Sequence, residues 1–113
     1  MGQIEAMVLS MVVEAPVAFA LVRVCDWPCR GPTHAALAIA LATAATHPQL
    51  WAASLWLYPR LGYGAAVVLA EAGVVLVEAG IVAWVTELSP ARSILVSALA
   101  NAASVAVGLL LFG

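Results

Sequence analysis

The chain has 113 residues, of which 65% are hydrophobic and 9% are charged, and its mean hydropathy is +1.10. It contains no lysine, and its formal net charge is −2. A water-soluble domain of this size buries too little surface to hide so many apolar residues, and the few cations exclude a basic nucleic-acid-binding surface. The composition therefore predicts an integral membrane protein whose main partner is the lipid bilayer.

Four apolar runs follow one another along the chain. They cover residues 4–24, 35–58, 64–85 and 93–112. Each is about 20 residues long, which is the length that crosses a ~30 Å hydrocarbon layer. We therefore expect an all-α integral membrane protein with four transmembrane helices in a bundle, forming one membrane domain over residues 1–113. The first run contains Glu5 and Glu14 but no cation before Arg23, so we interpret it as a retained helix rather than a secretion signal.

The connections between the runs are short, and each contains proline. Arg23, Arg30 and Arg92 lie on the side of the first and third connections, whereas Arg60 lies on the side of the second connection and the termini. The positive-inside rule then predicts that the first and third connections are cytoplasmic, in an inner or plasma membrane.

Two cysteines, Cys25 and Cys29, lie in the first connection. We expect reduced thiols on a cytoplasmic surface, with a disulfide or a metal site that includes Asp26 or His34 as alternatives. Our prediction is that the chain has no resident metal or cofactor. Because the sequence contains no nucleotide-binding loop or nucleophile motif, we also expect that it is not an enzyme.

The halves of the chain resemble one another and predict two tandem two-helix repeats, residues 4–58 and 64–112, in parallel orientation. In this alignment Glu14 corresponds to Glu78, and Thr43 corresponds to Asn101. Each of these four residues is nine positions from a polar or charged residue near the first or third connection. At ~1.5 Å per helical residue, all four are expected roughly 13 to 14 Å from one membrane surface, in a single layer near the midplane.

A carboxylate at this depth in a membrane costs much free energy, and by default it indicates an ion or proton site. We expect Glu14 and Glu78 to share a proton if they face each other. Thr43 and Asn101 complete this layer, and His47 and Glu71 follow toward the terminal side, so these six residues are the candidate ion- or proton-binding site. In the alternative interpretation, Glu14 and Glu78 only hold the helices together through hydrogen bonds.

Individual roles within the candidate site also have alternatives. His47 precedes Pro48 and could stabilise a kink in the second helix instead of relaying protons. Glu71 is nearer the surface than Glu78 and could be solvated. Thr43 and Asn101 could be packing and hydrogen-bonding residues rather than ligands.

In its length, its number of helices and the glutamate in the middle of its first helix, the chain resembles the small multidrug-resistance transporters. The resemblance implies that Glu14 would exchange protons for a cationic substrate in a dimer. Glu71 and Glu78 have no counterpart in that family, and its glycine, tyrosine and tryptophan patterns in the second and third helices do not occur in this sequence.

Two functions from different classes follow from these observations. The first is ion- or proton-coupled transport or conductance of a small cation through the bundle. The second is a non-catalytic accessory or assembly subunit of a larger membrane complex. The small residues Ala66, Gly73 and Gly80 would form its docking interface, either in a homo-oligomer or with other membrane subunits.

Overall fold

The computed structural model describes residues 2–112 of the protein, and these residues form four α-helices and no strands. The helices are α1 (Gln3–Cys25), α2 (Pro32–Leu61), α3 (Tyr63–Thr86) and α4 (Pro90–Phe112). The prediction of an all-helical chain with four helices is confirmed.

Four residues with positive φ within residues 2–112 mark helix ends, and one of them is Gly31 before α2 (φ 123°). Asp26 at the end of α1 (φ 51°) and Glu87 at the end of α3 (φ 64°) adopt the left-handed conformation. Gly62 (φ 80°) is the only residue between α2 and α3, and its N–H donates to the carbonyl of Tyr58 at 3.0 Å. A glycine suits this position because a side chain would be strained at that φ. The chain can therefore reverse direction within one residue.

The four helices form a ring in which each packs mainly against its two neighbours, with α1 against α2 and α4, and α3 against α2 and α4. Because the connections are short and join adjacent helices, the chain runs up, down, up and down through the bundle. The long dimension of the molecule is 43 Å. This length is close to the thickness of a bilayer with its headgroups, about 40–45 Å.

The prediction of four transmembrane helices is confirmed only in part. Three helices are long and apolar enough to span a membrane, namely α1, α3 and α4, with mean hydropathies of 1.9, 2.1 and 2.2. The second helix does not reach that level, because Thr43, Thr46, His47 and Gln49 interrupt its apolar sequence. The tandem repeats are not shown by the fold and stay a prediction.

An apolar plug fills the half of the bundle next to the first and third connections. Its fully buried members come from all four helices: Ala18 from α1, Ala35, Ala38 and Ile39 from α2, Val82 from α3, and Val96 and Ala100 from α4. Most of these side chains are small, so the backbones approach closely, as is usual between helices in membranes. The plug therefore separates the middle of the bundle from the first and third connections by apolar side chains, with the buried hydroxyls of Thr86 and Ser93 nearer those connections.

We expect Ile39→Ala in the plug to lower the free energy of unfolding by about 1 to 2 kcal/mol. This is less than the usual loss in a soluble core, because unfolded helices remain in lipid and only the cavity and contact terms change. The measurement is unfolding in mixed micelles. Leu41→Ala on the same helix is the control, since Leu41 is 63% exposed to the surroundings. Equal losses in the two variants would contradict this description of the plug.

Candidate functional site

The middle of the bundle holds a hydrogen-bonded carboxyl cluster of Glu14 from α1, Thr43 from α2, Glu78 from α3 and Asn101 from α4. Both glutamates are 1% exposed, Thr43 is 3% exposed and Asn101 is 8% exposed. The four residues that the sequence placed in one layer are therefore in contact. Each helix supplies one of them because its polar face turns toward the other helices.

The Thr43 hydroxyl lies between the two carboxyl groups. Its Oγ1 is 3.2 Å from Oε1 of Glu14 and 3.2 Å from Oε2 of Glu78. Both distances are long for a hydroxyl–carboxyl hydrogen bond, so each contact is individually weak. A hydroxyl has one hydrogen and can donate to only one of these oxygens. For the second contact to be a hydrogen bond, the other carboxyl must be protonated and donate to Thr43.

Asn101 makes the two carboxyl groups unequal. Its Nδ2 donates to Oε1 of Glu78 at 3.0 Å and to the carbonyl of Ser97 at 2.8 Å. Glu78 thus has one donor on each oxygen, which is the arrangement that suits a carboxylate. In one arrangement that satisfies these contacts, Glu14 donates to Thr43, Thr43 donates to Glu78, and Asn101 donates to Glu78 from the other side. The cluster then holds one proton and one negative charge.

Two further contacts lie beside the cluster, and they involve serines that are not among the six predicted site residues. Ser97 is fully buried, and its hydroxyl donates to the carbonyl of Val75 at 2.9 Å. Ser104 donates to Ser10 at 3.0 Å, which joins α4 to α1. The signal that could have identified Ser97 was its spacing of four residues from Asn101, which places both on one helical face.

His47 lies one turn from Thr43 and is 8% exposed. Its Nδ1 has no hydrogen-bond partner among residues 2–112. The imidazole is 6.2 Å from the ring of Trp51, between centroids. Although Pro48 follows it, α2 continues without interruption to Leu61. A buried ring nitrogen without a partner is costly, so this atom needs a polar neighbour that the protein itself does not supply.

Two neighbouring spaces lie inside the bundle, and the smaller one adjoins the cluster. The inner cavity has a volume of about 100 Å³ and is lined by Glu14, Thr43, Glu78, Asn101, Glu71, His47, Ser10 and Leu50, among others. A larger vestibule of about 420 Å³ lies toward the Gly62 turn. Both spaces are lined by His47, Leu50 and Glu71, so these three side chains stand at the boundary between them.

The vestibule is mainly aromatic and apolar. Its outer end is formed by Tyr58 and Tyr63, whose ring centroids are 5.4 Å apart. Glu71 supplies the only carboxyl group in the lining of this space within the part of the chain that the structure describes. Glu71 is half-buried and is not part of the hydrogen-bonded cluster. All six predicted site residues line the inner cavity, and His47 and Glu71 also line the vestibule.

The opposite end of the bundle is held by contacts between the connections. Arg30 pairs with Glu87 at 3.0 Å, and the backbone N–H of Arg30 donates to the carbonyl of Thr86 at 3.0 Å. The ion pair is exposed, so its contribution is small. Cys25 and Cys29 are free thiols, and no group of three His, Cys, Asp or Glu side chains within residues 2–112 is arranged to hold a metal ion.

The predicted docking residues do not form one exposed stripe on α3. Gly73 and Gly80 are exposed, but Ala66 is fully buried inside the chain. A spacing of seven residues turns the position by only about 20° around the helix, so the burial of Ala66 reflects the neighbouring part of the chain packed over this end of α3 rather than the direction of the stripe. Ala66 is therefore not available to a partner in this conformation.

No family model, curated protein or solved structure matches this chain.

Proposed function

We propose that the protein moves a proton or a small cation along the inside of a four-helix membrane bundle, with the carboxyl cluster as the binding group. The observation that carries this proposal is the position of one hydroxyl between two buried carboxyl groups, beside a polar cavity. Such a group can gain and lose a proton with little rearrangement, because the single hydrogen on Thr43 can point to either carboxyl.

The proposal requires α2 to be the fourth membrane span. Its support is the contact of Thr43 with Glu14 and Glu78, which lie near the middles of two helices apolar enough to cross a membrane. The polar residues of α2 that lower its hydropathy include Thr43 and His47, and both are buried inside the bundle. Polar side chains on an inner face are tolerated in a spanning helix.

The orientation and the repeats belong to the same proposal. By the positive-inside rule, the first and third connections face the cytoplasm, and the vestibule then opens on the other side of an inner or plasma membrane. The tandem repeats would explain why α1 and α3 each carry a glutamate at the same depth. The asymmetry between Thr43 and Asn101 would then give the two glutamates different protonation states.

A purely structural role for the cluster is the main alternative within the bundle. Interhelical hydrogen bonds in membranes contribute about 0.6 to 2 kcal/mol each, so the cluster does stabilise the fold. In a purely structural network, each buried polar atom would be expected to have a hydrogen-bond partner within the protein. Here a polar cavity adjoins the cluster, and a buried nitrogen of His47 has no partner within the described residues, which favours an ion or proton role.

An accessory or assembly subunit is the second candidate, and Gln49 is the observation that favours it. Gln49 is exposed on the outside of α2, where it lines a groove of about 540 Å³ between α2 and α3 together with Gly73. An amide facing lipid is costly and would be satisfied by a polar group of a neighbouring helix. That helix could belong to a second copy of this chain or to another membrane subunit.

Flux measurements on the purified protein in liposomes distinguish the two candidates. We expect proton uptake, reported by an enclosed pH-sensitive dye, when a potassium diffusion potential is imposed, with protein-free liposomes as the control. A parallel purification in mild detergent tests for other subunits. Absence of proton, sodium or potassium flux at either polarity, together with recovery only in a complex of unrelated chains, would contradict transport and support the accessory function.

A further inference from the structure

We propose that the inner cavity and the vestibule form a single water-filled path, open at the Tyr58 and Tyr63 end, through which protons pass by way of Glu71 and His47 to the carboxyl cluster. This inference rests on the proposed function, because it names the transported ion as the proton and gives its route. It also predicts one-sided access, since the apolar plug closes the other end.

The lining of the inner cavity is what requires water. Nδ1 of His47 is buried and unpaired among residues 2–112, and this side chain lines both spaces. Buried polar groups of this kind are satisfied by ordered water where the site is polar and large enough. A volume of about 100 Å³ accommodates at least three waters, at about 30 Å³ each. Three waters are enough to connect side chains that do not touch.

Glu71 is placed to pass protons between the two spaces. It lies seven residues before Glu78 on α3, which is two helical turns or about 10 Å along the axis. That distance is too long for direct transfer but is spanned by a short chain of waters. In each step one O–H bond breaks and one forms, so a proton released by Glu71 to a water is matched by a proton gained at the carboxylate of Glu78, which also lines the inner cavity, and no other reactant is needed.

The ligands available in the cluster favour the proton over a metal ion. Both oxygens of Glu78 already accept hydrogen bonds, from Asn101 and Thr43, and Thr43 also contacts Glu14. Hard divalent cations need six or more oxygen ligands. A proton needs one oxygen and can use the hydrogen-bonded arrangement as it stands.

The titratable groups that face Glu71 come from three helices. Glu14 is on α1, His47 and Tyr58 are on α2, and Glu78 and Tyr63 are on α3 itself. The residues that α4 contributes to the two spaces are Asn101, Val105, Gly108 and Leu109, which do not titrate. A pH dependence of transfer through this path is therefore assigned to the glutamates and His47.

A second opening has to be distinguished from the vestibule. A groove of about 400 Å³ between α3 and α4 also reaches Glu71 and Asn101, but the rest of its lining is alanine, valine and leucine. Lipid chains would fill such a groove, whereas the vestibule ends among tyrosines at the surface. We therefore expect water in the vestibule and lipid chains in the groove between α3 and α4.

Thiol labelling tests the water-filled path without requiring any flux. Ser54 lines the vestibule and Val68 is 70% exposed on the outer face of α3, at a similar distance from the Gly62 turn. In a Cys25→Ser, Cys29→Ser background, we expect a charged methanethiosulfonate to modify Ser54→Cys at least about tenfold faster than Val68→Cys, because thiolates form only in contact with water. Equal or slower labelling of Ser54→Cys would overturn the path.

Hydrogen–deuterium exchange of the cluster carboxyl, followed by infrared spectroscopy, tests the role of Glu71. We expect Glu71→Gln to slow exchange at least about tenfold and Glu71→Asp to restore most of the rate, with circular dichroism showing that both variants are folded. Unchanged exchange in Glu71→Gln would overturn the route. If Ser54→Cys is accessible but no ion flux occurs, the proposed function fails. If flux depends on Glu14 while Ser54→Cys is unreactive, only this inference fails.

Discussion

Replacing Thr43 by valine will abolish most proton flux through the reconstituted protein, while replacing it by serine will retain most of it. Valine has nearly the shape of threonine but lacks the hydroxyl that contacts both Glu14 and Glu78 at 3.2 Å. The two carboxyl groups would then face an apolar methyl group. Leaving a buried polar group unsatisfied costs about 1 to 3 kcal/mol, which corresponds to a loss of about fivefold to 150-fold.

The matched control for this prediction is Thr46→Val on the same helix. Thr46 also lines the inner cavity, but its hydroxyl donates to the carbonyl of Ala42 at 2.9 Å, one turn earlier on α2. Its removal leaves the carboxyl cluster intact, so we expect less than a threefold change in flux, roughly the effect of a few tenths of a kcal/mol. Equal losses of flux in Thr43→Val and Thr46→Val would mean that the contact of the Thr43 hydroxyl with the two carboxyl groups has no special role.

Glu14→Gln and Glu78→Gln will each lose proton flux at least about tenfold while remaining folded. In Glu14→Gln the new amide can donate to Thr43 just as a protonated Glu14 does, so the hydrogen-bond chain persists without a titratable proton. In Glu78→Gln the amide oxygen can still accept from Asn101. We therefore expect unfolding free energies within about 1 kcal/mol of the wild type, because no buried group is left without a partner.

Flux in liposomes and unfolding in mixed micelles check this second prediction together. Glu5→Gln is the control for flux, because Glu5 is exposed near the start of α1. Normal flux in both variants would exclude the carboxyl cluster as the ion-binding group. A large loss of stability in both, with no flux in the wild type, would support the purely structural interpretation instead.

Much of the fold could be read from the sequence, because a membrane imposes strong rules on length and apolarity. The apolar runs predicted the four helices, and the spacing of glutamates from the connections predicted that Glu14 and Glu78 lie deep in the bundle, where the structure buries both. The apolarity of α2 was misjudged. Its run was predicted to span the membrane because of its length, although several polar residues interrupt it. The role of those residues depends on their partners on α1 and α3, which the sequence of α2 does not show.

The details of the site depend on packing that a single helix does not reveal. Periodicity assigned Thr43 to a polar face, but whether that face meets one glutamate or two depends on how α2 rotates between α1 and α3. The same uncertainty affected Ala66, which shares a seven-residue spacing with Gly73 and Gly80 yet is buried. The closed end and the open end of the bundle are also properties of the assembled helices, since Ala18, Val82 and Val96 come from three of them.

The central claim is that the carboxyl cluster holds one proton on Glu14, shared through Thr43 with the carboxylate of Glu78. Infrared spectroscopy of the purified protein at neutral pH tests it directly, because a protonated carboxyl has a carbonyl-stretching band that a carboxylate lacks. The account predicts a band that shifts in heavy water, disappears in Glu14→Gln, changes frequency in Thr43→Val and persists in Glu5→Gln. A spectrum without any protonated-carboxyl band, or a band that Glu14→Gln leaves unchanged, would contradict it.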